Sequence, residues 1–234
     1  MIIDVSEAAG MDTRYSRNAP ALTPEECAAL GEKAVCVVGC GGLGGYVIEL
    51  LARAGVGALT VVDSDVFERS NLNRQLLCEE GLIGKSKAEA AARRVDKINS
   101  SVKVSAAPEL FTRESAGRLL HGCELAIDAM DNIGGRRILA GACADAGIYL
   151  VHGAISGFFA QAAVIAPGAG TFDKIYPPQI KNAPARGNLG FVASICASVQ
   201  SAEAVKLLCG RQSALLGKLL LMDIRAMEFT TIDI

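Results

Sequence analysis

The sequence has no excess of basic residues and no C-x-x-C pair. Its 23 lysines and arginines are offset by 25 aspartates and glutamates, which gives a formal net charge of −2. Nucleic-acid binding favours a strongly basic surface, so we do not expect a nucleic-acid partner. Zinc sites favour paired C-x-x-C motifs, whereas Cys36 and Cys40 are separated by three residues. The cysteine spacing therefore predicts no zinc.

Long apolar runs and an export signal are also missing. The chain is 51% hydrophobic, but its apolar runs are interrupted well short of the roughly 20 residues that span a bilayer. The first residues, MIIDVSEAAGMD, contain acids and no basic region before an apolar stretch, unlike a secretory signal. We therefore expect a soluble cytoplasmic protein whose eight cysteines are reduced thiols that mostly fill the core.

A strand, a glycine turn, a helix and a second strand are predicted over residues 34–63. Gly39, Gly41 and Gly44 have the G-x-G-x-x-G spacing, which permits a tight turn, close approach of a phosphate and packing of helix on strand. Asp63 ends the second strand, where a carboxylate can accept hydrogen bonds from ribose hydroxyls. Glycine triplets also occur in turns without a ligand, but the flanking strands and the acid favour a nucleotide site.

The polar segment DSDVFERSNLNRQLL, residues 63–77, follows this unit. Asn71, Arg74 and Gln75 fall within about one helical turn, so a single short helix could direct all three toward the ligand of Asp63. Arginine supplies a rigid fork of donors that matches phosphate oxygens. The segment therefore predicts phosphate contacts.

A helix is predicted from near Gly84 through Ile98, with Lys85 and Lys87 in its first turn. The helix dipole disfavours cations there unless an anion is present. The lysines therefore indicate an anion site, with two surface lysines as the alternative.

Two carboxylates lie beyond the apolar run of the predicted fourth strand, residues 124–130. Asp128 and Asp131 lie at the carboxyl edge, where ligands of open parallel sheets bind, and can hold Mg²⁺ beside a triphosphate. The alternative for Asp131 is a helix cap. His152, in the predicted fifth strand, is interpreted as a packed residue.

Laid out in this order, GCGGLGG, DSD, NLNRQ, GKSKAE and DAMDN make the chain resemble the ThiF/MoeB/HesA family, bacterial relatives of the ubiquitin-activating enzymes. The resemblance implies a Rossmann-like α/β fold with a mostly parallel sheet of about eight strands and antiparallel strands toward the C-terminal part. It implies one nucleotide-binding domain over residues 1–234, with an arm and helix over 1–31 and a crossover loop over 167–190. It also implies a homodimer that uses MgATP to adenylate the C-terminal glycine of a ubiquitin-like sulfur carrier ending in Gly-Gly, releasing pyrophosphate.

The resemblance also implies roles for single residues. The glycine turn, with Gly42, would contact the ATP phosphates, Asp63 the ribose and Asp131 the magnesium. The family's phosphate-contacting positions are matched by Asn71, Arg74 and Lys87.

In the N-terminal arm, RYSR resembles the family's RYxRQ, so Arg17 would be offered across the dimer to the neighbouring active site. Asn18 replaces the usual glutamine there. From the residues alone, Arg14 and Arg17 are either two solvated arginines on an arm or part of an arm that reaches a phosphate site in this subunit or a partner. Thiol-bearing members of the family place a cysteine in the loop that the substrate tail crosses, but residues 167–190 contain none. The resemblance therefore implies no covalent persulfide or thioester step there and leaves adenylation as the whole predicted reaction.

Three other functions fit parts of the sequence. A nicotinamide-dependent dehydrogenase would use the same glycines and Asp63, but it explains neither NLNRQ nor the lysines of GKSK. A tRNA threonylcarbamoyladenosine dehydratase would activate a carboxylate on a nucleoside and should display a basic face. A non-catalytic scaffold would bind ATP without exchanging pyrophosphate.

Overall fold

The computed structural model describes residues 12–180 and 187–234, in which an eight-stranded sheet is flanked by helices. Residues 1–11 of the predicted arm lie outside the described residues. That residues 1–234 form a single domain therefore stays a prediction. The strands are β1 (Ala34–Val38), β2 (Ala58–Val62), β3 (Lys103–Ala107), β4 (Leu125–Asp128), β5 (Tyr149–Ser156), β6 (Phe159–Ile165), β7 (Lys218–Asp223) and β8 (Glu228–Asp233). The helices are α1 (Pro24–Gly31), α2 (Gly42–Ala54), α3 (Lys87–Ile98), α4 (Arg113–Leu119), α5 (Ile133–Ala146), α6 (Thr171–Ile175) and α7 (Gly190–Leu208).

The sheet has the order β3-β2-β1-β4-β5-β6-β7-β8. The pairs among the first five strands are parallel, and the three pairs from β5 to β8 are antiparallel. The predicted fold class is therefore confirmed. The order reverses at β1, where Val38 pairs with Val62 on one side and with Asp128 on the other. Such a switch point opens a crevice at the carboxyl ends of the strands.

Core residues alternate between the two faces of β1. Val35 and Val37 belong to the apolar cluster that includes residues of α2, α3 and α7, while Cys36 and Val38 belong to the cluster that includes residues of α4 and α5. The central strands are thus buried on both faces, as parallel strands between helix layers are.

Helix α7 has the length and mean hydropathy of a membrane span, with half of the tested window buried. It packs against α2, β5 and β6. The buried Gln200 donates hydrogen bonds to the carbonyls of Asp128 (2.8 Å) and Val151 (3.2 Å). This helix is therefore a core element of the fold.

The single helix predicted within residues 63–77 is wrong, because the structure has a three-residue 3₁₀ helix, Arg69–Asn71, followed by turns. The segment is bonded to a distant part of the chain. The Phe67 amide donates to the Lys85 carbonyl at 2.9 Å, and the Gly84 amide donates to the Phe67 carbonyl at 2.8 Å. These bonds hold the backbone away from a continuous helix.

Helix α3 begins at Lys87 rather than near Gly84. Ser86 is the N-cap, and its side chain accepts a hydrogen bond from the Glu89 amide at 3.3 Å. Lys85 therefore precedes the helix, and only Lys87 of the two lysines lies in its first turn.

The prediction of a loop over residues 167–190 is wrong at Thr171–Ile175, which form α6. Five residues make less than two helical turns, so no periodicity marks them. Arg137 of α5 holds the end of α6 by donating to the carbonyl of Tyr176 at 2.9 Å. Residues 181–186 of the predicted loop lie outside the described residues.

All eight cysteines are free, and all except Cys209 are buried. Burial raises the pKa of Cys143 and of Cys196 to about 12. The thiols therefore stay protonated near neutral pH and act as small core residues, as the sequence predicts.

We expect Gly44→Ala to destabilise the fold, because a Cβ at this position would lie 1.7 Å from the Gly39 carbonyl oxygen. The free energy of unfolding should fall by about 2–4 kcal/mol, as for other forced overpacking of a backbone contact. Gly141→Ala in α5 is the matched control, since its Cβ would meet nothing within 4 Å. This substitution should raise the free energy of unfolding by about 0.5–1 kcal/mol. Urea unfolding measures both variants, and equal stability of the two would contradict this reading.

Candidate nucleotide site

The glycine turn joins β1 to α2 with no room for side chains at two positions. Gly39 has φ of +99°, and a Cβ there would lie 2.5 Å from the Ala129 carbonyl oxygen. Gly44 packs directly on the Gly39 carbonyl. Gly41 is the N-cap of α2 and makes no side-chain cap. The N-terminus of α2 is therefore positioned to bind an anion through backbone N–H groups.

Asp63 connects this turn to the end of β2. One carboxylate oxygen, Oδ2, accepts a hydrogen bond from the Cys40 amide at 2.7 Å, and Oδ1 accepts one from the Asp65 amide at 2.8 Å. Burial raises the pKa of Asp63, although the two amides and Lys87 favour its ionised form. Asp63 thus fixes the glycine turn and lines the cleft beside it.

Two cations stand beside the turn. The Arg74 guanidinium donates through Nη1 to the Ser70 carbonyl (2.7 Å) and to Asn73 Oδ1 (3.0 Å). The Lys87 ammonium lies 2.9 Å from Asp65 Oδ2, and its side chain is only 9% exposed. Both cations line the same cleft as the glycine turn.

This cleft has a volume of about 1010 Å³ and extends from the glycine turn to β7 and β8. Seven of the predicted site residues line it: Gly39, Gly41, Gly42, Asp63, Arg74, Lys87 and Asp131. Among the described residues, its lining contains six carboxylates: Asp63, Asp65, Glu109, Asp131, Asp223 and Glu228. The described basic residues of the lining are Arg74, Lys87 and Arg136. The described lining is thus net acidic.

Asn71, Gly44 and Arg17 are not among the residues that line the cleft. Asn71 is buried and closes its own 3₁₀ helix, accepting a hydrogen bond from the Glu68 amide at 3.1 Å. Gly44 lies beneath the turn, where it lets α2 pack on Gly39.

Arg17 is exposed on an arm that crosses the far end of α2. Next to it, Asn18 donates to the carbonyl of Ala54 at 3.3 Å, at the end of α2 opposite the glycine turn. Tyr15 lies against Gly55, and its hydroxyl accepts a hydrogen bond from Asn99 at 2.7 Å. This anchoring places Arg17 apart from the cleft of its own chain.

Asp131 follows β4 without serving as a helix cap. Asn132 is the N-cap of α5, and its side chain accepts a hydrogen bond from the Gly135 amide at 2.7 Å. The Asp131 carboxylate is exposed on the cleft, so its oxygens fit the preference of Mg²⁺ for hard ligands shared with phosphates. The described residues include no group of three or more His, Cys, Asp or Glu side chains that could hold a metal ion.

A polar network runs from the wall of the cleft into the core, and the sequence predicts only the packed position of His152 within it. The prediction that Asp128 can hold Mg²⁺ at the edge of the sheet is wrong, because its side chain is fully buried in this network. Asp128 Oδ2 lies 2.7 Å from His152 Nδ1, and both side chains are fully buried. The Tyr176 hydroxyl accepts hydrogen bonds from Arg136 (2.7 Å) and Gln161 (2.8 Å) and lies 3.3 Å from His152 Nε2. The network thus joins β4, β5 and β6 to α5 and to the residue after α6.

Charge is balanced inside this network. Burial disfavours the ionised Asp128, but Arg136 and His152 outweigh it and hold the pKa of this carboxyl below its usual range. Burial lowers the pKa of His152 despite its hydrogen bond to Asp128. Arg136 also donates to the Met130 carbonyl at 3.2 Å, which fixes the chain directly before Asp131. The only sequence signal for this role is an arginine in the first turn of a helix that follows the DAMDN segment.

Known proteins resemble this chain in sequence or in fold. In Haloferax volcanii, SAMP-activating enzyme E1 is 38% identical over 226 residues, covering 94% of this chain and 84% of that protein. In Thermus thermophilus, sulfur carrier protein adenylyltransferase is 35% identical over 234 residues, covering 94% and 86%. The crystal structure of E. coli MccB with ATP has a TM-score of 0.78 over 95% of this chain and 72% of that chain, at 22% identity. At that identity, the likeness to MccB shows the fold alone.

The family profile described as "ThiF family" matches residues 15–234. This range includes the glycine turn, the polar segment after β2, the start of α3 and the acids after β4. The chain therefore belongs to the ThiF family, as its motifs predict.

Proposed function

We propose that this chain uses ATP to adenylate the C-terminal glycine carboxylate of a ubiquitin-like sulfur-carrier protein, with release of pyrophosphate. One observation carries the proposal: the glycine turn, Asp63, Arg74, Lys87 and Asp131 converge on a single cleft. The relatives named as an activating enzyme and as a sulfur carrier protein adenylyltransferase confirm the predicted enzyme class and the predicted class of substrate.

In this reaction, the carboxylate oxygen attacks the α-phosphorus of ATP, and the bond from that phosphorus to the bridging oxygen of pyrophosphate breaks. Both reactants are anions, so alignment and positive charge account for most of the acceleration. A general base is unnecessary, because a carboxylate is ionised near neutral pH. Arg74 and Lys87 are the cations of this chain that we assign to the phosphates, beside the N-terminus of α2.

We assign Mg²⁺ to Asp131 because its exposed carboxylate lies on the cleft next to Asn132. When bound, the ion would supply Lewis-acid charge to the phosphate oxygens. The six carboxylates of the described lining make such charge necessary, since ATP alone would enter a net acidic cleft. We propose that Asn71 holds the segment that carries Arg74, because its side chain accepts a hydrogen bond from the Glu68 amide.

We further propose that the chain works as a homodimer in which Arg17 contributes to the neighbouring cleft. Arg17 is exposed and stands outside its own cleft. Arg14 supports the arm by a hydrogen bond to Asn99, so the position of Arg17 is fixed relative to α2 and α3. A cytoplasmic location agrees with eight unpaired thiols.

The alternatives gain no support from the cleft or the relatives. The relative named as an adenylyltransferase acts on a protein carrier, so a tRNA dehydratase is not favoured. A dehydrogenase would leave Arg74 and Lys87 unexplained. The first experiment below distinguishes a non-catalytic scaffold from the proposed enzyme.

Radiolabelled pyrophosphate exchange into ATP tests the reaction, with carrier proteins that end in Gly-Gly in one set of assays and tRNA in another. We expect exchange with carriers alone. Arg74→Ala should lower the exchange rate by about 10²–10³, the usual cost of removing one preorganised donor. Arg93→Ala, which removes an exposed cation on α3, should leave the rate unchanged. Exchange that depends on tRNA, or ATP binding without exchange, would refute the proposal.

The magnesium assignment predicts that Asp131→Asn shifts the Mg²⁺ dependence of the same exchange. The concentration for half-maximal rate should rise by at least about tenfold, with partial recovery at high Mg²⁺ and an unchanged melting temperature. Asp173→Asn removes an exposed carboxylate that pairs with Arg137 and serves as the control. A lower rate at every Mg²⁺ concentration, without a shifted midpoint, would contradict a metal-linked role.

The assignment of Arg17 is tested by mixing two inactive variants, Arg17→Ala and Arg74→Ala, under conditions that exchange subunits. Half of the randomly mixed dimers are heterodimers with one intact site, so about one quarter of wild-type exchange should return in a two-fold symmetric dimer. No recovery, together with dimeric behaviour in sedimentation, would show that Arg17 does not act across the interface.

A further inference from the structure

We propose that Asp65 is a positioning residue, which holds the Lys87 ammonium before ATP binds and gives it up to a phosphate group when ATP arrives. The identity of the anion rests on the proposed function, whereas the pairing of Asp65 with Lys87 is a property of the protein alone.

The position of Lys87 in this fold requires a nearby anion. It is the first residue of α3, where the helix dipole disfavours a cation, and its side chain is 9% exposed. An unpaired charge in such a place is costly. Asp65 Oδ2 meets the ammonium at 2.9 Å, so this carboxylate stabilises the buried cation.

The two partners differ in their freedom to separate. Whereas Lys87 is enclosed, the Asp65 side chain is 68% exposed and can turn into water at little cost in solvation. The backbone of Asp65 is held on both sides: its amide donates to Asp63 Oδ1 at 2.8 Å, and its carbonyl accepts from the Lys87 amide at 3.0 Å. An exchange of anions at Lys87 therefore moves only one side chain and leaves the glycine turn in place.

Competition for Lys87 has a consequence for selectivity. A phosphate carries more charge than one carboxylate and offers more acceptor oxygens, so it can displace Asp65, whereas a weakly charged anion cannot. Asp65 also adds to the acidic lining, next to Asp63, and repels a phosphate that fails to reach Lys87. We therefore expect Asp65 to weaken binding of ATP while keeping Lys87 placed for it.

Titration calorimetry with MgATP, without carrier, tests this competition in Asp65→Asn and in the control Glu89→Gln. Glu89 pairs with Arg93 on the exposed side of α3, at 3.7 Å. Asp65→Asn should bind MgATP about two- to fivefold more tightly, the range for losing one partly exposed charge pair, and Glu89→Gln should match wild type. Equal or weaker binding by Asp65→Asn would overturn the proposal, weaker binding indicating that Asp65 helps to hold Mg²⁺ or ATP.

Thermal unfolding without nucleotide supplies an independent readout. Asp65→Asn should lower the melting temperature when Lys87 is present and should have no such effect in Lys87→Gln, because the two residues act as one pair. Additive effects of the two substitutions would overturn the pairing. If wild type bound no MgATP, the proposed function would fail, while this cycle would still decide whether Asp65 holds Lys87.

Discussion

The hydrogen bond from the Cys40 amide to Asp63 joins the parts of the site that lie far apart in sequence. Through its other oxygen, Asp63 binds the Asp65 amide, and Asp65 in turn pairs with Lys87. A continuous chain of polar contacts thus runs from the turn after β1, across the end of β2, to the start of α3. Because each contact uses backbone or a buried partner, the glycine turn and the lysine are fixed relative to each other before any ligand binds. This preorganisation is what a reaction between two anions requires.

A second set of contacts fixes the opposite wall of the cleft. Gln200 of α7 holds the carbonyl of Asp128, and Arg136 pairs with the Asp128 carboxylate while binding the Met130 carbonyl. The chain is therefore held directly before Asp131. Since Arg136 and Arg137 also bind Tyr176, the same helix connects this turn to the segment after α6. The wall that we assign to the metal and the segment after α6 are therefore connected through α5.

Local patterns in the sequence predict the elements that depend on local forces. The apolar runs of the central strands, the glycine spacing and the acid after β2 each reflect a requirement within a few residues, and the structure has them as predicted. The predicted start of α3 is too early because the boundary depends on the cap by Ser86. The sequence has other polar residues nearby and does not show which of them is the cap. The polar segment after β2 was predicted as a helix because its bonds to Gly84 and Lys85 are tertiary and leave no periodic trace.

Tertiary pairing also explains which parts of the site were missed. The anion predicted near Lys87 exists within the chain, because Asp65, 22 residues earlier, binds the lysine. Likewise, Gln161 and Tyr176 meet His152 only because β5 and β6 pair antiparallel and α6 follows. No fixed spacing in the sequence identifies such side chains, because the pairing of distant strands brings them together. Motif residues were found because the backbone turns that hold them have strict steric requirements.

The charge of the cleft supports the proposal that a second chain contributes to the reaction. Without a ligand, Arg136 is paired with Asp128 and Lys87 with Asp65, and Arg74 is the basic residue of the described lining without a carboxylate partner among the described ion pairs. We propose that a phosphate displaces Asp65 from Lys87, so Arg74 and Lys87 are the two cations of this lining that can meet ATP. A triphosphate and a second carboxylate bring further negative charge to a lining that already holds six acids. We therefore propose that balance comes from a divalent cation at Asp131 and from a cation outside this cleft. An exposed arginine on an anchored arm is suited to that task in a symmetric dimer, because the same anchoring presents it in both copies.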